Sequence, residues 1–303
     1  MRILTLMEMS TVRPEDRARH ERLAELWIDR VWRHGATSIE ILYAKEYPKA
    51  VEGLADLVKV DYCPDVPMPE PSGLEHEASL YLLWCALKLY NICRQTEPFL
   101  WLDWDAVPIS DLGPIWEIRN EKPLIACGHQ QCNMMDDWCR ELGLTLWEYL
   151  NGGVMVVSDP TFLKWPAMLE QNRSNGKVIG RYPDDILMSV FCAAQRYDFT
   201  HPVMHNGWNA WSKFTQLRYE GNNRWHGTTQ DDDGEFHQAH VVHYYAKGAK
   251  PWVINCPLYA YHSGRKILPY GHHPLLRQAN REPQRPQGRD QLPRLLPTAR
   301  PSV

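Results

Sequence analysis

The 303 residues carry 33 Lys+Arg against 37 Asp+Glu, a formal net charge of −4, which excludes attachment to nucleic acid or anionic lipid driven mainly by net charge. A composition of 44% hydrophobic and 23% charged residues excludes disordered and collagen-like chains and supports a substantial core. Eight cysteines without a CxxC pair follow an opening, MRILTLMEMS, whose apolar run is too short for a secretory leader. They are expected to be reduced thiols in a cytoplasmic protein. The grouping Cys127, His129, Cys132 and Cys139 reads more simply as ordinary buried cysteine than as a zinc site.

The opening alternates strand and helix patterns. Arg2–Leu6 is a short apolar strand, and 14–33 places Leu23, Leu26, Trp27 and Val31 at helical spacing. Ser38–Tyr43 alternates as a strand, and 57–60 reads as another. Ser72 with Glu75 is a capping-box signature, predicting a helix that carries Leu80, Leu83, Trp84, Leu87 and Tyr90. The apolar run 80–89 is far shorter than the roughly 20 residues a bilayer requires, so no transmembrane segment is predicted. Phe99–Leu102 is apolar throughout, as a strand buried on both faces should be. This order predicts a largely parallel sheet covered by helices, with ligands at the carboxyl ends of its strands.

Further on, 124–127 and 153–157 read as strands, 183–197 as a helix and 240–245 as a late strand. From residue 274 to 303 six prolines and six arginines stand among few apolar residues, which predicts a tail unable to sustain a core. The expected organisation is one domain over 1–273 and a flexible Pro/Arg-rich tail over 274–303.

Asp103-Trp104-Asp105 follows directly on the strand 99–102. In extended chain, residues i and i+2 face the same way, so both carboxylates enter one space while Trp104 points away. Two hard oxygen donors at a strand's carboxyl end suit Mg²⁺ or Mn²⁺ carrying a phosphorylated substrate. Alone, the same triplet reads more simply as a solvated turn than as a metal site.

The longer run Phe99-Leu-Trp-Leu-Asp-Trp-Asp-Ala-Val-Pro-Ile-Ser-Asp-Leu resembles the metal-binding segment of GT-A nucleotide-sugar glycosyltransferases, particularly family 8, the glycogenin and lipopolysaccharide-galactosyltransferase type. The helix end Leu87-Lys-Leu-Tyr90 before it is similar to the family's helix leading into that strand. Other segments resemble the family in order: Asn151-Gly-Gly-Val-Met-Val-Val157, Asp184-Asp-Ile-Leu187, Asn206-Gly-Trp-Asn209 and His243-Tyr-Tyr-Ala-Lys-Gly-Ala-Lys-Pro-Trp252. The last motif departs from the pattern by one additional residue and by Ala246 where glycine is usual, which implies a phosphate-binding turn reshaped around Gly248. The first 70 residues match only as a strand-helix-strand pattern.

The resemblance implies a GT-A, Rossmann-like fold and a retaining, metal-dependent hexosyl transfer from a nucleoside-diphosphate sugar, with UDP-glucose or UDP-galactose the family-based expectation. It implies a metal held by Asp103, Asp105 and His243, with Mn²⁺ favoured over Mg²⁺ because Mg²⁺ sites seldom use nitrogen. It implies donor contacts at Asn151, Gly152, Gly153, Gly248 and Lys250, and catalytic positions at Asp184 and Asp185. Trp208, Asn209 and Trp211 are expected in the acceptor region. His240, three residues before His243 on a strand, is expected to face the opposite way. The acceptor stays open between glycan, glycolipid, protein and a hydroxylated base in DNA. A carbohydrate-binding or scaffold protein on the same fold is the non-catalytic alternative. The basic tail adds the alternative of peripheral attachment to membrane or nucleic acid.

Overall fold

The computed structural model describes residues 1–52, 54, 58–62, 85, 87–128, 149–164, 184–230, 234–244, 250–251 and 256–263. Strand β1 (Arg2–Leu6) is followed by a 3₁₀ turn at Pro14–Asp16 and helix α1 (Arg17–Arg33). Strands β2 (Ser38–Tyr43), β3 (Val58–Tyr62) and β4 (Phe99–Leu102) follow, with residues 87–93 helical before β4. Next come β5 (Ala106–Pro108), the short α2 (Gly113–Glu117), β6 (Leu124–Gly128), β7 (Leu150–Val157) and α3 (Asp184–Ala194). The remainder is β8 (Ala210–Trp211), β9 (Thr215–Gly221), β10 (Arg224–Gln230), β11 (Phe236–Ala239), β12 (Val241–His243) and α4 (Pro257–Ser263).

The predicted strands of the first half and the helix within 14–33 appear where the patterns put them, and of the helix expected after Ser72 only residue 85 and residues 87–93 are described, all helical. The capping box at Ser72 and the grouping of Cys132 with Cys139 lie outside the described residues. One difference follows the expected acceptor positions Trp208, Asn209 and Trp211, where strands β9 to β11 form a small antiparallel sheet ordered β11-β10-β9 that the sequence patterns did not predict. Its strands alternate half-buried and exposed positions, and Asn222 and Asn223 take left-handed backbone at the β9–β10 turn. Polar β-formers such as Thr215, Thr228 and Thr229 hide that periodicity from a reading that looks for apolar runs.

The central sheet has the order β3-β2-β1-β4-β7-β6. Strands β1 to β4 are mutually parallel where they pair, whereas β7 runs antiparallel to both β4 and β6. The chain order reverses direction between β1 and β4, and a crevice at such a switch point is the usual ligand site of an open α/β sheet. Asp103 lies at that point. On one side α1 covers the sheet with Leu23, Leu26, Trp27 and Val31, all buried. On the other, α3 brings Leu187, Met188 and Phe191 against Trp101, Met155 and Leu150.

Two features shape the ground around Asp103. In β7, one step on β6 from Ala126 to Cys127 spans Met155 to Asn151, so the intervening residues Gly152, Gly153 and Val154 bulge away from β6. In the third sheet, ordered β5-β12-β8, His243 pairs with Ala106 and so stands beside the residue that follows Asp105.

Candidate active site

Trp101 Nε1–H donates to Asp103 Oδ1 at 2.7 Å, and the Asp103 backbone is held at both ends. Its N–H donates to Gly153 O at 2.9 Å, and its carbonyl accepts from Trp27 Nε1 at 3.0 Å. Trp104 turns away from the two carboxylates, but not by strand alternation: the chain leaves β4 in a turn closed by the Ala106 N–H donating to the Asp103 carbonyl at 2.8 Å, and Trp104 stacks on His20 of α1 with ring centroids 5.2 Å apart.

The other oxygens of the triplet converge on one imidazole. His243 Nε2 is 3.2 Å from Asp105 Oδ1 and 3.8 Å from Asp103 Oδ2. One ligand atom from each of Asp103, Asp105 and His243 lies within 4.8 Å of the others. His243 is 7% exposed and Asp105 8%, so solvent screens little of this charge. The ring fits closely because position 153 is glycine: a Cβ there would lie 2.5 Å from His243 Cε1 and 2.6 Å from Nδ1. His240 faces elsewhere, as expected, with Nδ1 2.7 Å from Ser110 Oγ and its ring stacked on Trp208 at 4.1 Å.

Two lysines hold the opposite edges of the carboxylates. Lys250 pairs with Asp105 Oδ2. Lys88, buried at 7% exposure, reaches Asp103 Oδ1 at 2.9 Å, Asp184 Oδ2 at 2.6 Å and the Gly152 carbonyl at 2.9 Å. Its ammonium also lies 5.3 Å from the Trp101 ring centroid, within cation–π range. Burial works against the Lys88 charge, but Asp103, Asp184 and Asp185 outweigh it and hold the pKa above the ordinary lysine range. Lys88 has no place among the motif-based site residues. A lysine inside the apolar helical run Leu87-Lys88-Leu89 was the available signal, since a charge at a core position needs a buried partner.

Asp184 and Asp185 open α3, where the helix dipole favours carboxylates. Asp184 Oδ1 accepts from Cys85 Sγ at 3.6 Å, a second contact that motif matching had not pointed to. Asp185 Oδ1 accepts from the Gly152 N–H at 2.8 Å, and a Cβ at 152 would stand 2.3 Å from that oxygen. Loss of solvent, and after it repulsion from Asp184, push the Asp185 pKa well above the usual carboxylate range. For Asp105 the balance is opposite: burial would raise its pKa, but the Lys250 ammonium overcomes it and holds the carboxyl below its ordinary range.

Of the sequence-predicted residues, Asp103, Asp105, His243, Asp184, Asp185, Gly152, Gly153 and Lys250 come together here. Asn151 is 3% exposed, and its Oδ1 accepts from the Gly153 N–H at 3.2 Å, so in this structure it braces the β7 bulge. Trp208, Asn209 and Trp211 are buried at 2%, 1% and 3% exposure, and the Asn209 side chain meets His243 and not an open surface. Gly248 lies outside the described residues.

The donor set fits a divalent cation. The carboxylates of Asp103, Asp105 and Asp184 face the two ammonium groups of Lys88 and Lys250. The remaining oxygens and the imidazole nitrogen meet within reach of one divalent cation.

The sheet order and the position of this site at the β1/β4 switch point define the architecture: the fold is GT-A. No protein-family model and no curated protein matches the chain. Among solved structures, it is similar to the galactosyltransferase LgtC in complex with donor and acceptor sugar analogs, at 13% identity over 88% of this chain and 98% of that one, with a TM-score of 0.59. An active-site mutant of LgtC superposes at 14% identity over the same shares, with a TM-score of 0.57. Among the described residues, no helix is long and apolar enough to cross a membrane.

Proposed function

We propose that this protein is a metal-dependent, retaining glycosyltransferase that moves a hexose from a nucleoside-diphosphate sugar, UDP-glucose or UDP-galactose, to a hydroxyl acceptor. The observation that carries the reading is the convergence of Asp103, Asp105, His243, Asp184, Asp185, Lys88 and Lys250 at the carboxyl end of β4 in a GT-A fold. Retention, the sugar and the nucleotide come from the motif resemblance.

A divalent cation held by Asp103, Asp105 and His243 supplies, when bound, Lewis-acid stabilisation of the diphosphate leaving group. Lys250 offers an ammonium to the same leaving group as its charge grows, exchanging Asp105 for phosphate oxygen. In the resemblance, Gly248 shapes the turn that brings Lys250 there. Lys88 ties Asp103 to Asp184 through one ammonium, which fixes the spacing between the cation-binding edge and the sugar-facing edge of the site. Asp184, held on both oxygens, stabilises positive charge at the anomeric carbon or forms a short-lived adduct with it. Asp185 takes a sugar hydroxyl. In the resemblance Gly152 and Gly153 leave room for the donor sugar; here they let Asp185 and His243 close on the β7 backbone, since any side chain there meets one or the other.

The test is a screen of UDP-, GDP- and TDP-sugars with Mn²⁺, scored for slow donor hydrolysis in the absence of acceptor. Turnover of UDP-glucose or UDP-galactose is expected, and it should vanish with chelator. A chain that neither binds nor hydrolyses any of these donors is not the enzyme proposed, and the non-catalytic alternative on the same fold then stands.

A further inference from the structure

Asn209 was expected near the acceptor, yet its side chain is 1% exposed and its Oδ1 lies 2.9 Å from His243 Nδ1. The geometry points to Asn209 as a positioning residue that sets the tautomer of His243 and thereby presents Nε2 to a divalent cation. The inference rests on the metal reading of the site.

A carboxamide oxygen only accepts, so a hydrogen bond to it requires the proton on Nδ1. In the neutral ring the lone pair then sits on Nε2, the atom that faces Asp105 Oδ1 and Asp103 Oδ2. Three electron-rich atoms brought together need a cation among them, and the ring reaches that state only while its other nitrogen is engaged. With the acceptor gone, the ring is free to move its proton to Nε2 and donate it to Asp105, which closes the site to metal.

The backbone that carries the amide is fixed on several sides. Asn209 ends the 3₁₀ turn Asn206–Asn209, whose Gly207 carbonyl accepts from the His240 N–H at 2.7 Å. Gly207 packs so tightly that a Cβ would lie 1.9 Å from the Gln238 carbonyl oxygen. The next residue, Ala210, pairs in parallel with Val242, which locks the turn to the strand that carries His243. On the far side, the amide nitrogen lies 3.0 Å from where a Gly153 Cβ would stand. The neutral amide also does this without adding a fifth carboxylate to a cluster that already has four. The same acceptor as an aspartate would hold the same tautomer.

The experiment uses the full chain with Mn²⁺ alone as probe, free Mn²⁺ being counted by electron paramagnetic resonance, together with the ¹⁵N shifts of the His243 ring in metal-free protein. Wild type should show protonated Nδ1 and bare Nε2. Asn209→Leu should lose the Nδ1–H preference and weaken Mn²⁺ binding about 10- to 100-fold, while Asn209→Asp stays within a few-fold of wild type. In a His243→Ala background, Asn209→Leu should cause no further loss. Equal Mn²⁺ affinity in folded Asn209→Leu, a protonated Nε2 in wild type, or the same loss without His243 overturns the assignment. If Asn209→Leu does not fold, the ring shifts of wild type and the Mn²⁺ affinity of Asn209→Asp decide. Wild type that binds no Mn²⁺ removes the metal reading and this inference with it, whereas binding that is indifferent to Asn209 removes this inference alone.

Discussion

Lys88 and Lys250 divide the aspartates of the Asp-x-Asp triplet between them, each taking one carboxylate oxygen and leaving the other turned toward His243. Replacing Asp103 or Asp105 by Asn exchanges a ligand carboxylate for an amide of similar volume. Either change should abolish Mn²⁺-dependent donor hydrolysis, by at least about 100-fold, with the circular-dichroism spectrum unchanged. Activity retained at saturating donor would sink the ligand assignment. Lys88→Met leaves Asp103, Asp184 and Asp185 facing one another without their buried counter-charge, and thermal or denaturant unfolding should register a loss of about 3–5 kcal/mol. Asp185 makes the opposite kind of prediction. Its folded pKa is raised, so above the ordinary carboxylate range the native state holds a proton that the unfolded state releases, and stability falls as pH rises toward the folded pKa. In metal-free buffer Asp185→Asn should therefore melt higher than wild type near pH 7. The gain should disappear at acid pH, where both states are protonated. An equal difference at both ends of the range would show that the substitution acts through packing.

At the scale of elements, the bulge in β7 decides whether the site can assemble. Gly152 and Gly153 bring backbone where side chains would stand, so Asp185 closes on one and His243 on the other. In Gly153→Ala the new methyl meets the imidazole, a rigid ring already held by Asn209, whereas at Gly152 it meets the end of the Asp185 side chain. Gly153→Ala should cost about 1–3 kcal/mol in unfolding experiments and weaken Mn²⁺ binding at least about tenfold. Unaltered Mn²⁺ affinity in that variant would place His243 outside the metal site. A buried arginine anchors the opposite face of β5. Arg30 of α1, 1% exposed, donates to the carbonyls of Pro108, Ile109 and Asn223 and contacts His34. Burial lowers its pKa to about 10, still charged at neutral pH, and drives that of His34 to about 3. This pair clamps α1 to β5 and to the β9–β10 turn, which keeps the Ala106 to His243 register in place.

For the whole molecule, the chain divides into two units, Met1–Arg265 and Lys266–Val303, and the site lies entirely in the first. Residues 274–303 carry six arginines against Glu282 and Asp290, a basic segment on a chain that is −4 overall. Truncation after His273 should leave the fold and acceptor-free donor hydrolysis nearly intact. Should the segment recruit a polyanionic acceptor, truncation would also weaken acceptor binding at low salt and flatten its salt dependence. Equal affinity and equal salt slope with and without the segment would reject recruitment. Lost hydrolysis would mean that the catalytic unit extends past residue 273.

Periodicity and ordered motifs were enough to read the strand-helix alternation, the apolar β4 ending in Asp103-Trp104-Asp105, and the set of Asp184, Asp185, His243 and Lys250. These features are local: a strand's alternation and a carboxylate two residues from another need only the backbone geometry of their own segment. Lys88, Cys85 and the buried position of Asn209 were not legible in the same way. Each acquires its role from a partner that chain folding alone brings near, Lys88 from Asp184 and Asn209 from His243. Sequence by itself therefore determined which fold the chain takes and which side chains are candidates for the site. Tertiary structure decided which oxygen each lysine occupies, which imidazole nitrogen faces Asp103 and Asp105 and which glycine makes room, because those depend on close packing between segments distant in sequence.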